Sequence, residues 1–252
     1  MSPVARLAEF AAAVFAILLA WQVYVSVADV PAFMLPAPLA VGDALVALAA
    51  SGQLWRSLGF TLGNIAAGFA LSALAGAVTG LWLARAPRLE AALAGPILFL
   101  QTAPKIALAP LFVIWFGLGA TSKILLIVSL VFFPVMIGML TGIKGVDRRL
   151  VDLGRLLGLS SWQRFRRIEL PASLPEVFVG LRVGAVQAVV GAILGEWMAG
   201  RQGLGHLMTF ASATYRTPML FAAVILTALL GILVYAAADG AERRLLAWRE
   251  DR

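Results

Sequence analysis

The sequence predicts an all-α integral membrane protein with about six transmembrane helices. Three observations carry that prediction. Of the 252 residues, 62% are hydrophobic and 13% charged, whereas a soluble domain is about half apolar and about a quarter charged. The apolar stretches are long and unbroken rather than alternating, so their backbone is satisfied within helices and not in a closed barrel. One long polar segment interrupts them, Asp152 to Pro175, DLGRLLGLSSWQRFRRIELPASLP. No cysteine is present, which excludes disulfides and thiolate metal sites. A single histidine, His206, leaves no His-pair metal site and argues against a histidine-based triad. Neither catalytic nor metal-ligating residues are expected.

A helix needs roughly 20 apolar residues to cross the hydrocarbon. Six stretches qualify, at about 8–28, 58–84, 92–117, 122–143, 177–199 and 217–238. The first reads as a retained anchor, because it is long and lacks a small-x-small cleavage site before Pro31. Between the first two lie Pro31, Pro36 and Pro38, then VGDALVALAASGQLW, which reads as a short interfacial helix with Trp55 near the headgroups. The second span is rich in small residues, Gly63, Gly68, Gly76 and Gly80 among them, which let helices approach closely. Residues 200–216 place Gly203 and Gly205 around Leu204, which suggests a tight turn or re-entrant backbone. No internal repeat, low-complexity tract or second domain is visible, so 1–252 reads as one transmembrane domain with a polar loop at about 146–176.

The net charge of +7 is read as membrane topology rather than as nucleic-acid binding, since Lys and Arg collect in cytoplasmic loops. With the N-terminus inside, fifteen basic residues fall on the cytoplasmic side, including Arg6, Arg85, Arg88, Arg182 and the tail residues Arg243, Arg244, Arg249 and Arg252. Four fall outside: Arg56, Lys123, Arg201 and Arg216. Both termini and the polar segment are therefore expected in the cytoplasm.

Local chemistry shapes that segment. Asp152 to Leu157 can form a short helix that Gly158 ends, because glycine tolerates the left-handed C-cap conformation. Ser160 offers an N-cap with Gln163 at capping-box spacing. A second helix, Trp162 to Ile168, carries Arg164, Arg166 and Arg167, and Pro171 and Pro175 are expected to stop it. Leu153, Leu156, Leu157 and Leu159 gather near the turn, where a protein partner could receive them. A topological loop needs only a few basic residues and no two-helix elbow, so a plain positive-inside loop is the competing reading.

Gly158, nine intervening residues, Ile168, one more, then Leu170-Pro171 resembles the EAA loop of permease subunits of bacterial ABC importers. Asp152-Leu153-Gly154 stands where that family usually has Glu-Ala-Ala. Further stretches resemble its nitrate/sulfonate/taurine subfamily: LPAPLAVGDALVALAASGQLW (35–55), APKIALAPLFVIWFGLG (103–119), GLRVGAVQAVVGAILGEW (180–197), GLG (203–205) and LLAWR (245–249). The resemblance implies a methionine-permease-like type I importer fold in the inner cell membrane. It also implies a cytoplasmic ATPase dimer docked on Asp152, Leu153, Gly154, Leu157, Gly158, Leu159, Ser160, Trp162, Arg164, Ile168, Leu170 and Pro171. A periplasmic or extracellular substrate-binding protein, a second permease copy and membrane lipid complete the implied partners. No glycine-rich phosphate loop followed by Lys-Ser or Lys-Thr is present. ATP and Mg are therefore expected in the partner ATPase, with no cofactor in this chain.

Charges within spans are costly and are functional candidates by default. Lys105, between Pro104 and Pro110, either offers a positive site on a transport path or snorkels toward headgroups. Glu196 either lines the path or pairs with a basic group such as Arg201. Gln101 and Gln187 are candidates for the path, with interhelical hydrogen bonding as the plainer role, which is also that of Asn64. The resemblance implies a small solute as cargo, expected to be anionic or to carry a sulfonate: nitrate, a sulfonate or taurine. Pyrimidine or thiamine precursors are the alternative, and a membrane enzyme or scaffold fits less well.

Overall fold

The computed structural model describes residues 3–250; Arg6, Arg249 and Arg252 of the charge count lie outside the residues whose side chains are described. The described chain is helical and carries no strand. Its helices are α1 (Pro3–Val27), α2 (Pro38–Ala50), α3 (Gln53–Arg85), α4 (Pro87–Thr102), α5 (Ala109–Phe116), α6 (Ala120–Lys144), α7 (Arg148–Leu156), α8 (Ser161–Arg164), α9 (Leu170–Ala199), α10 (Leu204–Ala213), α11 (Thr217–Leu245) and α12 (Ala247–Glu250). Among them α3, α6, α11 and the continuous helix Ser161–Ala199 are each long and apolar enough to cross a bilayer. In α1 the apolar portion is Ala11–Val27.

The third expected span is not one straight helix. α4 and the stretch Lys105–Phe116 meet at a bend of 80°. Pro104 disfavours helical geometry in the residue before it, and Ala103 is accordingly extended, with φ −58° and ψ 137°. A short 3₁₀ turn, Lys105–Leu108, then leads into α5. Of the two outer-loop expectations, the first changes and the second gains a helix after its turn. Gly52, at φ +71°, separates α2 from α3, so Trp55 belongs to the first turns of α3. Gly203, at φ +105°, supplies the tight turn, and the residues after it form α10, with Leu204, Leu207, Met208 and Ala211 buried.

The chain divides into two compact units. The first comprises Met1–Phe60 and Arg201–Ala228. Within it the Trp21 and Phe221 rings lie 5.9 Å apart, Thr217 Oγ1 donates to the Phe33 carbonyl at 3.0 Å, and Gln22 Oε1 accepts from the Leu39 N–H at 3.4 Å.

The second unit, Thr61–Gly200 and Leu229–Arg252, is built on the pair α6 and α9. A Cβ on Gly180 would lie 2.5 Å from the Pro134 carbonyl oxygen, and one on Gly138 would lie 2.7 Å from that of Glu176. Both obstacles are backbone, so the two helices approach this closely only because these residues are glycine. Leu126, Ile127, Val131, Val135 and Ala188, Val189, Ala192 fill the interface.

Pro171 and Pro175 do not stop the helix that follows the polar turn, contrary to the expectation from sequence. Residues 161–199 run on as one 39-residue helix. The join is a π turn, Phe165–Glu169, in which the Leu170 N–H donates to the Phe165 carbonyl five residues back. One wide turn at this point moves the carbonyl that the Pro171 ring would strike and removes the demand for its missing N–H.

Candidate functional site

The polar segment forms a helical elbow. α7 begins earlier than expected, because the Asp147 side chain caps it by accepting from the Arg149 N–H at 2.9 Å. It ends at Gly158, φ +71°. There the Gly158 N–H donates to the Arg155 carbonyl and the Leu159 N–H to the Gly154 carbonyl, both at 3.0 Å, the two bonds of a Schellman motif. Ser160 and Gln163 form the full capping box that opens α8.

The predicted elbow residues separate into an inner and an outer set. Gly154 is buried, and a Cβ there would lie 2.8 Å from Ile168 Cδ1, so Ile168 packs directly on its backbone. Arg164 braces the turn from within, donating to the Leu159 carbonyl at 2.8 Å and to Ser161 Oγ at 3.2 Å. Leu170 and Pro171 are half-buried where the π turn passes into α9. Outside lie Leu153, Leu156, Leu157 and Trp162, 51%, 86%, 69% and 66% exposed. Asp152 is exposed as well and pairs with Arg155 at 2.8 Å. The elbow thus presents an apolar patch beside basic side chains on a rigid frame.

Two ion pairs fasten its surroundings. Arg85, at the end of α3, pairs with Glu169 in the π turn and lies 5.8 Å over the Phe165 ring. Lys144, ending α6, donates to both carboxylate oxygens of Glu90 at 2.8 Å.

Three of the four residues assigned to a path line one cavity of about 450 Å³: Gln101, Lys105 and Gln187. Glu176 and Phe133 line it too. Lys105 Nζ donates to the Gln101 carbonyl at 2.9 Å and sits 5.3 Å from the centre of the Phe133 ring. The break at Pro104 puts this ammonium beside the cavity.

Glu196 lies apart, fully buried. It accepts from Thr61 Oγ1 at 3.0 Å and from Asn64 Nδ2 at 3.4 Å. Lys123, 3% exposed, is within electrostatic reach of it and packs along α9, where a Cβ on Gly195 would lie 3.1 Å from Lys123 Cγ. Charge counting places Lys123 on the external side, and the structure buries it at the start of α6. Its four-residue spacing to Ile127, Val131 and Val135 was the available signal that it faces the core. Thr61 had no sequence signal beyond lying one turn before Asn64.

Comparison with known proteins gives this architecture its place. Residues 68–247 match the family described as binding-protein-dependent transport system inner membrane component. The chain belongs to that family. The permease is 37% identical to the riboflavin transport system permease protein of Chloroflexus aurantiacus, over 92% of this chain and 87% of the relative. It is 35% identical to a putative aliphatic sulfonates transport permease protein of Bacillus subtilis, over 91% and 83%. It is 34% identical to the formylaminopyrimidine transport permease protein of Halalkalibacterium halodurans, over 91% of each. In fold, the permease resembles a chain of the methionine ABC transporter MetNI in an inward-facing conformation, with a TM-score of 0.62, 17% identity, and coverage of 78% of this chain and 95% of that one. It is therefore a multi-pass inner-membrane transport component with the fold of an ABC importer permease. ATPase and substrate-binding partners follow from membership of that class.

Proposed function

We propose that the permease pairs with a second copy of itself to form the translocation path for a small anionic solute. In this reading both termini and the elbow face the cytoplasm, and an ATPase dimer, which holds ATP and Mg, docks on the elbow. A binding protein delivers solute on the opposite side, and ATPase closure is transmitted through residues 152–168 to drive alternating access. Lys105 in the 450 Å³ cavity is the observation that carries the choice of cargo. A lysine ammonium there is a point charge with three donors. Gln101 and Gln187 add amide donors and acceptors, and the Phe133 ring gives an apolar wall. Glu176 lines the same cavity, so an amino-sulfonate such as taurine meets a partner at each end, whereas a simple sulfonate meets one.

The 37% and 34% identities to riboflavin and formylaminopyrimidine permeases favour a second reading, in which the same architecture carries a heterocycle. Reconstitution with the cognate ATPase and binding protein separates the two. Methanesulfonate or taurine is expected to raise ATP hydrolysis several-fold in the native complex and much less in Lys105→Ala. Stimulation by a flavin or aminopyrimidine, with none by either sulfonate, overturns the anionic reading.

A further inference from the structure

A second cavity, of about 550 Å³, lies wholly within the first unit. Its walls come from the start of α3 and from the segment that enters and opens α10. Arg56 and Arg201 both line it, with His206 beside them. Gln53, Gln202 and Ser57 add further hydrogen-bonding groups, and Phe60 and Leu207 contribute apolar wall. Among the described residues no carboxylate lines it. Among the described residues neither arginine forms an ion pair.

The Arg56 head is oriented by one bond, its Nε donating to the Gly52 carbonyl at 3.4 Å. Both of its terminal nitrogens are left for other acceptors. An arginine carries five N–H donors in a planar fork and no acceptor, a geometry that matches oxyanions by paired hydrogen bonds. Two such forks around a concavity without an opposing acid concentrate positive potential inside it. Nothing in this wall requires two cations for packing, because Leu54 and Leu207 provide the buried apolar contacts nearby.

We propose that this cavity is an oxyanion-binding site for a small sulfonate or carboxylate solute, distinct from the Lys105 cavity. The arginines take the charged head, and Phe60 with Leu207 takes a short apolar tail. The choice of solute rests on the anionic reading above; the site itself does not. Under the proposed topology Arg56 and Arg201 lie on the side from which solute is delivered.

The test uses the full chain in phosphatidylcholine nanodiscs, without ATPase or binding protein. Phenylglyoxal modification of Arg56 and Arg201 is followed by peptide mass spectrometry in methanesulfonate and in its neutral isostere methanesulfonamide, with exposed Arg243 as control. Methanesulfonate at millimolar concentration is expected to slow modification of Arg56 and Arg201 at least three-fold and leave Arg243 unchanged, while methanesulfonamide protects none of them. Arg56→Gln is expected to abolish the protection of Arg201. Unchanged rates, equal protection by the sulfonamide, or protection extending to Arg243 would overturn the proposal. Protection that appears without solute once phosphatidylglycerol is included, or only with binding protein docked, would assign the arginines to lipid or protein and overturn it equally. Protection at these arginines combined with no sulfonate-stimulated ATP hydrolysis in the complex leaves this site standing and removes the transport reading instead.

Discussion

Arg85→Ala removes the partner of a carboxylate that water barely reaches. The Glu169 side chain is 10% exposed and that of Arg85 is 44% exposed, so the pair lies between two limits. Breaking a buried pair from one side costs about 3–5 kcal/mol, and an exposed pair is worth about 0–1 kcal/mol. Water admitted from the arginine side reduces the buried figure, and the lost contact over Phe165 adds about 0.5–1 kcal/mol. Together these give about 2 kcal/mol for Arg85→Ala. For a chain of this length that is about 4–8 °C in the melting midpoint. Removing the orphaned charge as well, in Arg85→Ala/Glu169→Gln, should restore about half of the loss. The assay is a double-mutant cycle on the detergent-solubilised permease, read by thermal unfolding at one fixed scan rate, with co-purification of the ATPase as a parallel measurement. Single losses that simply add, within about 0.5 kcal/mol, would refute the reasoning: the pair would then be a surface contact and not the fastening of the elbow to α3.

Leu157→Asp exchanges an exposed apolar side chain for a charge on the proposed docking patch. Burial of a leucine is worth about 1.5–3 kcal/mol, so ATPase affinity in pull-down titrations should fall by about 10–100-fold while the melting midpoint of the permease stays put. Gly158→Pro cannot adopt φ +71° and loses the N–H that donates to Arg155, so circular dichroism should show insertion intact while transport-coupled ATP hydrolysis disappears. Glu196→Leu removes an acceptor of Thr61 Oγ1 and Asn64 Nδ2 and the carboxylate near Lys123, and should lower the melting midpoint by several degrees. Glu196→Gln keeps an acceptor for Thr61 and Asn64 and should lower it less; equal losses would show that these two hydrogen bonds contribute nothing there. Gly180→Val drives a branched side chain into the Pro134 carbonyl, a steric cost of about 1–3 kcal/mol, and should reduce the yield of folded protein in size-exclusion chromatography.

The features that were legible in the sequence are those whose cause is local. Ser160 and Gln163 capped α8 as their spacing indicated, and Gly158 ended α7 because the αL position is chemically restricted. Lys105 fell beside a break because two prolines flank it. Cooperative features were hidden. Nothing in RFRRIELP announces that one wide turn will absorb Pro171, since that depends on a single carbonyl moving out of register. The burial of Lys123 was hidden because its charge was counted before its helical phase. The buried cluster around Glu196 could not be read from residues 61, 64, 123 and 196, whose adjacency arises only when α3, α6 and α9 pack. Gly154 and Ile168 show the same limit: the glycine that stands within the Glu-Ala-Ala position is the seat of a side chain fourteen residues away.

The continuous helix Ser161–Ala199 has a mechanical consequence. At 1.5 Å per residue its 39 residues make a rod about 58 Å long, with the elbow at one tip and Glu196 near the other. Gln187 and Glu176, on the wall of the Lys105 cavity, lie between. A tilt of about 5° imposed at the elbow sweeps the far tip by about 5 Å, close to the rise of one helical turn. The π turn is the compliant joint of this lever: its wider spacing can absorb rotation that a regular helix would pass on unchanged. With the ATPase docked on the elbow as proposed, the gearing between a push on Trp162 and the width of the cavity would rest in five residues, Phe165 to Glu169, and stiffening them would alter the stroke without touching either end.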